Sequence, residues 1–159
     1  MKRRLSVKVL SIVFLLVFSL GVGFSVYGQT PIKVKITVPE MDGIKVGMEM
    51  DVKGTATIPS GNYLWILAHR IKGFKRVWWP QGEAEIDPVS KKWEAHAVFG
   101  GPQDIGYEFE IAAIVVNESE HSKLQNYWTK AMSSGHWPPI PMPPTVTSPE
   151  IRKVKKTGH

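Results

Sequence analysis

The chain has 159 residues, no cysteine, 43% hydrophobic residues, and 20 Lys and Arg against 14 Asp and Glu. The missing cysteine excludes disulfides and a lipid-modified cysteine anchor, so the fold must stand on its apolar core. Four of the basic residues lie in the first 28 positions, which hold no acid, so the remainder carries 16 basic residues against 14 acidic ones. Four of those 16 sit in Arg152-Lys153-Val154-Lys155-Lys156, so the basic balance belongs to the two ends and does not indicate nucleic-acid binding.

Lys2, Arg3, Arg4 and Lys8 precede an almost uninterrupted apolar run from Val9 to Val26. A positive start, an apolar stretch and the small residue Gly28 make the layout of a secretory signal over residues 1–28, with cleavage after Gly28. The rival reading is an uncleaved N-terminal anchor, since 18 residues is at the short end of what spans a bilayer. Both readings place the rest of the chain outside the cytoplasm, secreted or at the cell surface.

Residues 31–157 suit one domain of a size that buries a proper core. Ile32, Val34, Ile36 and Val38 alternate with Lys33, Lys35 and Thr37, which predicts a strand with one wet face. Asp42-Gly43 is a turn pair. Met48, Met50, Val52, Ala56 and Ile58 then share a face opposite Glu49, Asp51, Lys53, Thr55 and Thr57, with Gly54 in the apolar row, where a bulge or close packing is expected. Tyr63 to Ile71 is apolar enough to lie centrally, covered on both faces. Val77-Trp78-Trp79 reads as a short strand stopped at Pro80-Gln81-Gly82. Lys92 to Phe99 is the next strand, then a loop over Gly100–Gly106, then Tyr107 to Val116. In that last strand Tyr107, Phe109 and Ile111 face one way and Glu108 and Glu110 the other.

The period then changes. Leu124, Tyr127, Trp128 and Ala131 stand at i, i+3, i+4 and i+7, a helical stripe. Asn117 or Ser119 caps its start, Glu120 completes a capping box with Asn117, and Gly135 stops it, giving a helix over about residues 119–133. The Pro-rich stretch 136–144 is an extended connection to a last strand near residues 150–157, whose charges face water. The expected fold is all-β: an antiparallel β-sandwich of about seven strands with one helix inserted before the last strand.

Trp65, in the central strand, is expected to pack between the sheets near Val52, Phe109 and Ile111. Trp78-Trp79 is the most suggestive segment, because neighbouring strand residues point to opposite faces and only one of the two rings can serve the core. An outward Trp offers a flat apolar face to a sugar ring; the competing reading packs it under the helix or the Pro-rich loop. Trp137, beside Pro138-Pro139, carries the same two readings, so Trp78, Trp79 and Trp137 are the candidate ligand-binding residues. His69, His96, His121, His136 and His159 include no pair at helical metal-site spacing, and no metal is expected. Glu83, Glu85 and Asp87 alternate, as a calcium cluster or a solvated edge strand would. Asp104 reads as a turn residue. No serine stands in a nucleophile elbow, and no catalytic residue or cofactor is expected.

Gly54-Thr55-Ala56, Leu64-Trp65-Ile66-Leu67, Trp79-Pro80-Gln81, Lys92-Trp93, Gly100-Gly101-Pro102-Gln103-Asp104-Ile105-Gly106, Phe109-Glu110-Ile111 and Tyr127 occur in this order. The series resembles the immunoglobulin-like modules of exported prokaryotic proteins over residues 31–157. The resemblance implies an immunoglobulin-like sandwich and an exported address, and it carries over no catalytic residue. The expected function is a non-catalytic extracytoplasmic binding or interaction module; the alternative is a carbohydrate-binding module using exposed Trp residues. The partner expected is an envelope or extracellular protein, or a polysaccharide, with no nucleic acid. Membrane contact is expected only through a retained N-terminal segment.

Overall fold

A computed structural model describes residues 31–158, so the signal segment expected over residues 1–28 lies outside the described residues. The elements in chain order are β1 (Lys33–Val38), β2 (Ile44–Val46), β3 (Glu49–Thr57), β4 (Asn62–Arg70), β5 (Val77–Glu83), β6 (Lys92–Val98), β7 (Glu108–Asn117), α1 (Glu118–Ser134), β8 (Ile140–Pro141) and β9 (Glu150–Lys156). β1, β3 and β6 form one sheet in that order; β2, β9, β7, β4, β5 and β8 form the other. This is the strand order of an immunoglobulin-like sandwich. β1, β3 and β6 take the A, B and E positions, and β9, β7, β4 and β5 take G, F, C and C′.

Two short strands were not expected. β2 follows Gly43 and pairs with β9 in parallel, Ile44 opposite Val154 and Val46 opposite Lys156. The sandwich is therefore antiparallel except at this edge, and three residues are too few for alternation to announce a strand. β8 pairs with Val77 and Trp78 of β5 through Ile140 and Pro141. Its proline is tolerated because the strand is at the edge of the sheet. β5 also runs past its expected stop. The register shifts between Ile66 and Leu67, opposite Gly82 and Pro80, so Pro80 sits at an irregularity in the ladder, where its missing N–H is tolerated.

The interior between the sheets holds Ile36, Val52, Ala56, Leu64, Ile66, Trp93, Ala97, Phe99, Phe109, Ile111 and Val115. Gly54 gives Trp93 its place. A methyl group at Gly54 would stand 2.3 Å from Trp93 Cζ2 and 2.1 Å from the Lys35 carbonyl, so the apolar row of β3 has a gap where the indole lies.

A second apolar cluster lies on the outer face of the six-stranded sheet. Trp65, Leu67, Trp78, Ala112, Ile114, Val116 and Leu124 form it, with Tyr63, Trp128, Ile140 and Met142 packed around. Trp65 is thus buried at 2% exposure, but under α1 and not between the sheets with Val52, Phe109 and Ile111. The reason is parity. Leu64 and Ile66 point inward, so Tyr63, Trp65 and Leu67 must point outward. β7 shows where the helical cover begins. On its outer face Glu108 is exposed and Glu110 half-buried, whereas Ala112, Ile114 and Val116 are fully buried.

Helix α1 begins at Asn117, whose side chain accepts from the Glu120 N–H at 3.0 Å, and ends at Gly135, whose N–H reaches the Ala131 carbonyl at 2.8 Å. His121, Leu124 and Ala131 are buried on the sheet. The Trp65 indole N–H donates to His121 Nδ1 at 3.1 Å, and Tyr63 stacks on the imidazole with ring centres 3.6 Å apart. This donation leaves Nδ1 without a proton. Replacing Trp65 by Ala removes both the apolar cover and this tie. Trp65→Ala is expected to lower stability by about 3–5 kcal/mol in a denaturant titration; an unchanged midpoint would place the ring outside the core.

Candidate functional site

Trp78 and Trp79 point to opposite sides of β5, as strand geometry requires. Trp78 is 7% exposed, packed in the outer-face cluster and tilted against His69, whose Nδ1 lies 2.7 Å from the Val77 carbonyl. It serves the fold and offers no surface to a ligand. Trp79 is half-buried and lines a groove of about 710 Å³ at one end of the domain. Trp137 lines the same groove. Two of the three candidate aromatics therefore meet, and the third belongs to the core.

The large apolar side chains of the remaining wall come from three further segments. The turn after β4 gives Phe74, β7 gives Phe109, and α1 gives Trp128 and Met132, one turn apart on the same helix face. Two hydrogen bonds fix the chain that carries Trp137. The Trp79 indole N–H donates to the Trp137 carbonyl at 3.1 Å, and the Tyr127 hydroxyl donates to the Pro138 carbonyl at 2.9 Å. Burial pushes the Tyr127 hydroxyl above its ordinary pKa, so it stays a donor at neutral pH. The aromatic pairs meet edge to face: Phe74 and Trp79 at 78°, Trp128 and Trp137 at 72°, Tyr127 and Trp137 at 64°. Such pairs make a concave wall, not a flat platform.

The polar members of the wall are Arg70, Gln81, His96, Gln103 and Asp104. Asp104 is 5% exposed and is paired with Arg70. Its second oxygen accepts from the Gly101 N–H at 2.9 Å. Gly100 has φ +60°, and a methyl group there would meet the Asp104 carboxylate at 2.1 Å, so only glycine fits beside it. The Arg70 guanidinium also lies over Phe74 at 4.3 Å and Tyr107 at 4.7 Å. Asp104 is therefore more than a turn residue: it locks the 100–106 loop onto β4.

Lys156 corrects another expectation. It belongs to the basic tail, yet it is fully buried, and its ammonium donates to the Phe99 carbonyl at 2.8 Å and the Gly101 carbonyl at 2.6 Å. It ties β9 to the same loop. Lys156→Met leaves the Phe99 carbonyl without this donor, and a loss of about 1–3 kcal/mol is expected in chemical denaturation. An unchanged stability would show that the ammonium contributes nothing net.

His96 stands on the outer face of β6 between two carboxylates, with Nδ1 3.1 Å from Asp51 and Nε2 3.1 Å from Glu49. Hydrogen bonds to Asp51 first, then Glu49, raise its pKa above the ordinary 6.5. The stabilisation is complete below about pH 6.5 and is lost as pH rises through the higher folded value. The group is exposed, so solvent screens the effect. A histidine-resolved NMR titration should place the His96 midpoint above 6.5, and His96→Gln should remove the corresponding loss of stability as pH rises above about 6.5. A midpoint at or below 6.5 would show that the carboxylates do not hold the charged form.

Glu83, Glu85 and Asp87 do not form the calcium cluster that was one of their two readings. Asp87 Oδ1 accepts from the Ser90 and Val89 N–H groups at 2.6 and 3.0 Å, which lowers its pKa, so it is a turn residue. Among the described residues no group of three or more His, Cys, Asp or Glu is placed to hold a metal ion. Phe74, Phe109, Trp128 and Met132 were missed as groove residues. Trp128 and Met132 were legible as neighbours on one helix face, but nothing in the sequence showed which end of the sheet that face would reach.

No family model matches the chain, and no curated protein matches it. Among solved structures it is similar to a twitchin kinase fragment from C. elegans containing an autoregulated kinase and immunoglobulin domains. The identity is 10% and the TM-score 0.30, over 81% of this chain and 21% of that one. It thus spans about a fifth of the twitchin fragment. It is also similar to murine CRIg at 5% identity and TM-score 0.31, over 82% of this chain and 99% of the other. The immunoglobulin-like assignment rests on the strand order itself, A-B-E against G-F-C-C′.

Proposed function

We propose that the protein is a non-catalytic interaction module that captures a bulky apolar side chain of a protein partner in the aromatic groove, and that it works outside the cytoplasm. The observation that carries the binding reading is the convergence of Phe74, Trp79, Trp128, Met132 and Trp137 on one groove. Its volume of about 710 Å³ is within the usual range of ligand sites, and its surface is mainly apolar with polar groups at particular points, the common make-up of such sites. The charged groups at its edge are engaged within the protein, Asp104 with Arg70 in holding a loop and His96 with Asp51 and Glu49 between two strands, which supports binding over chemistry. A polysaccharide reading has less support, because the edge-to-face pairs do not offer two coplanar rings to successive sugars. The extracytoplasmic address is supported by the positive start and apolar run of residues 2–26.

Met132 is 64% exposed, so a charge there leaves the core untouched and changes the groove mouth. Random-peptide display against the immobilised protein should enrich sequences sharing a Trp, Phe, Leu or Met anchor. Met132→Glu and Trp137→Ala should each weaken the best binder by about tenfold, equal to about 1.4 kcal/mol. Binders indifferent to both replacements would sink the groove reading. Retention on polysaccharide that is lost on replacing Trp79 would favour the carbohydrate reading instead. Purified exported protein should begin at Gln29; recovery only inside the cytoplasm with Met1 intact would overturn the address.

A further inference from the structure

We infer that the partner segment carries carboxylates beside its apolar anchor, and that the turn between β4 and β5 reads them. The inference rests on the groove reading above and adds the chemistry of the occupant.

From Ala68 to Gly82 the chain holds Arg70, Lys72, Lys75 and Arg76 and no Asp or Glu. Phe74, in the middle of this run, is part of the groove wall. Arg70 is used internally, since its charge meets Asp104 and its guanidinium lies against Phe74 and Tyr107. That arrangement steadies the Phe74 ring. Lys72, Lys75 and Arg76 are exposed, and among the described residues none has a carboxylate within ion-pair distance. Three uncompensated cations therefore stand within two residues of Phe74, in the turn that supplies this part of the groove wall.

The side lined by β6 has the opposite character. His96 is flanked there by Glu49 and Asp51, and Glu94 pairs with Lys53. The groove thus has a basic turn beside Phe74 on one side and, on the other, His96 backed by the carboxylates of Glu49 and Asp51. A bound segment is favoured with its acidic residues toward Lys72, Lys75 and Arg76 and disfavoured in the reverse direction, where carboxylates would face Glu49 and Asp51. Apolar burial supplies most of the affinity, and the charges select the partner and its direction. A protein segment suits this better than an anionic membrane. A membrane surface calls for a broad apolar face, whereas the exposed large apolar residues at the groove are Met132 and Val98, and Met41, Val89 and Ile151 are not part of it.

The test uses the full chain and two fluorescent peptides with one Trp or Leu anchor, flanked by either two Glu or two Lys residues. At low salt the Glu-flanked peptide should bind about tenfold more tightly, and the difference should shrink toward unity at about 0.5 M salt. The double variant Lys72→Glu/Lys75→Glu, with both sites exposed and its melting curve checked against the parent, should reverse the preference. If Met132→Glu weakens binding of both peptides while the double variant leaves their ratio unchanged, the charge inference fails and the groove reading stands. If neither variant alters binding, both fail. Binding to phosphatidylglycerol vesicles without binding to either peptide would replace the protein partner by a membrane and overturn the inference.

Discussion

A sheet that is apolar on both faces must be covered twice. β4 and the second half of β7 bury side chains alternately to the sandwich interior and to the outer face. The small sheet covers the first set, and only α1 with the segment after it covers the second. Each fully buried large apolar side chain is worth about 1.5–3 kcal/mol relative to exposure, so an uncovered outer face would forfeit several such contributions at Trp65, Leu67, Ile114 and Val116. The helix depends on the sheet in turn. Helices in proteins draw most of their stability from a packed apolar face, and this 17-residue helix packs His121, Leu124 and Ala131 on the sheet.

The groove follows from that docking. Once His121 and Leu124 seat the first turns on β4 and β7, the remaining turns carry Trp128 and Met132 to the other end of the sheet. The stop at Gly135 then sends the chain back across β5. There the hydrogen bonds from Trp79 and Tyr127 hold Trp137 and Pro138, and β8 pairs with the edge. The same segment therefore completes the core, closes the edge strand and builds one wall of the groove. The opposite wall is anchored independently: Lys156 and the Arg70–Asp104 pair both act on the loop that follows β6.

This anchoring explains the electrical character of the site. Buried or partly buried charges are committed to particular partners, because an unpaired charge there would be costly. Asp104, Arg70 and Lys156 shape the loops and leave the groove interior largely apolar. Next to Phe74, the exposed Lys72, Lys75 and Arg76 keep their charges in water, which bears the solvation cost. Such a division favours affinity from the aromatic wall and selectivity from the rim.

Alternation in residues 32–58, the caps at Asn117 and Gly135, and the helical stripe from Leu124 to Ala131 were enough to determine the strand-rich class and the inserted helix. These are local effects: each strand face and helix end is dictated by residues within one or two turns of chain. They were also enough to show that Trp78 and Trp79 divide between two faces. Only the tertiary structure decided which face each took. In β4 both parities are apolar, so alternation could not tell that Trp65 belongs under α1 while Trp93, seated over Gly54, fills the interior. The fate of Lys156 was equally hidden, because the carbonyls that accept its ammonium lie 57 and 55 residues away. The groove is the furthest from sequence, since Phe74, Trp79, Phe109, Trp128 and Trp137 come from five segments with no shared period. Folding brings them to one end of the sandwich because a two-faced sheet requires the helix that carries the last of them there.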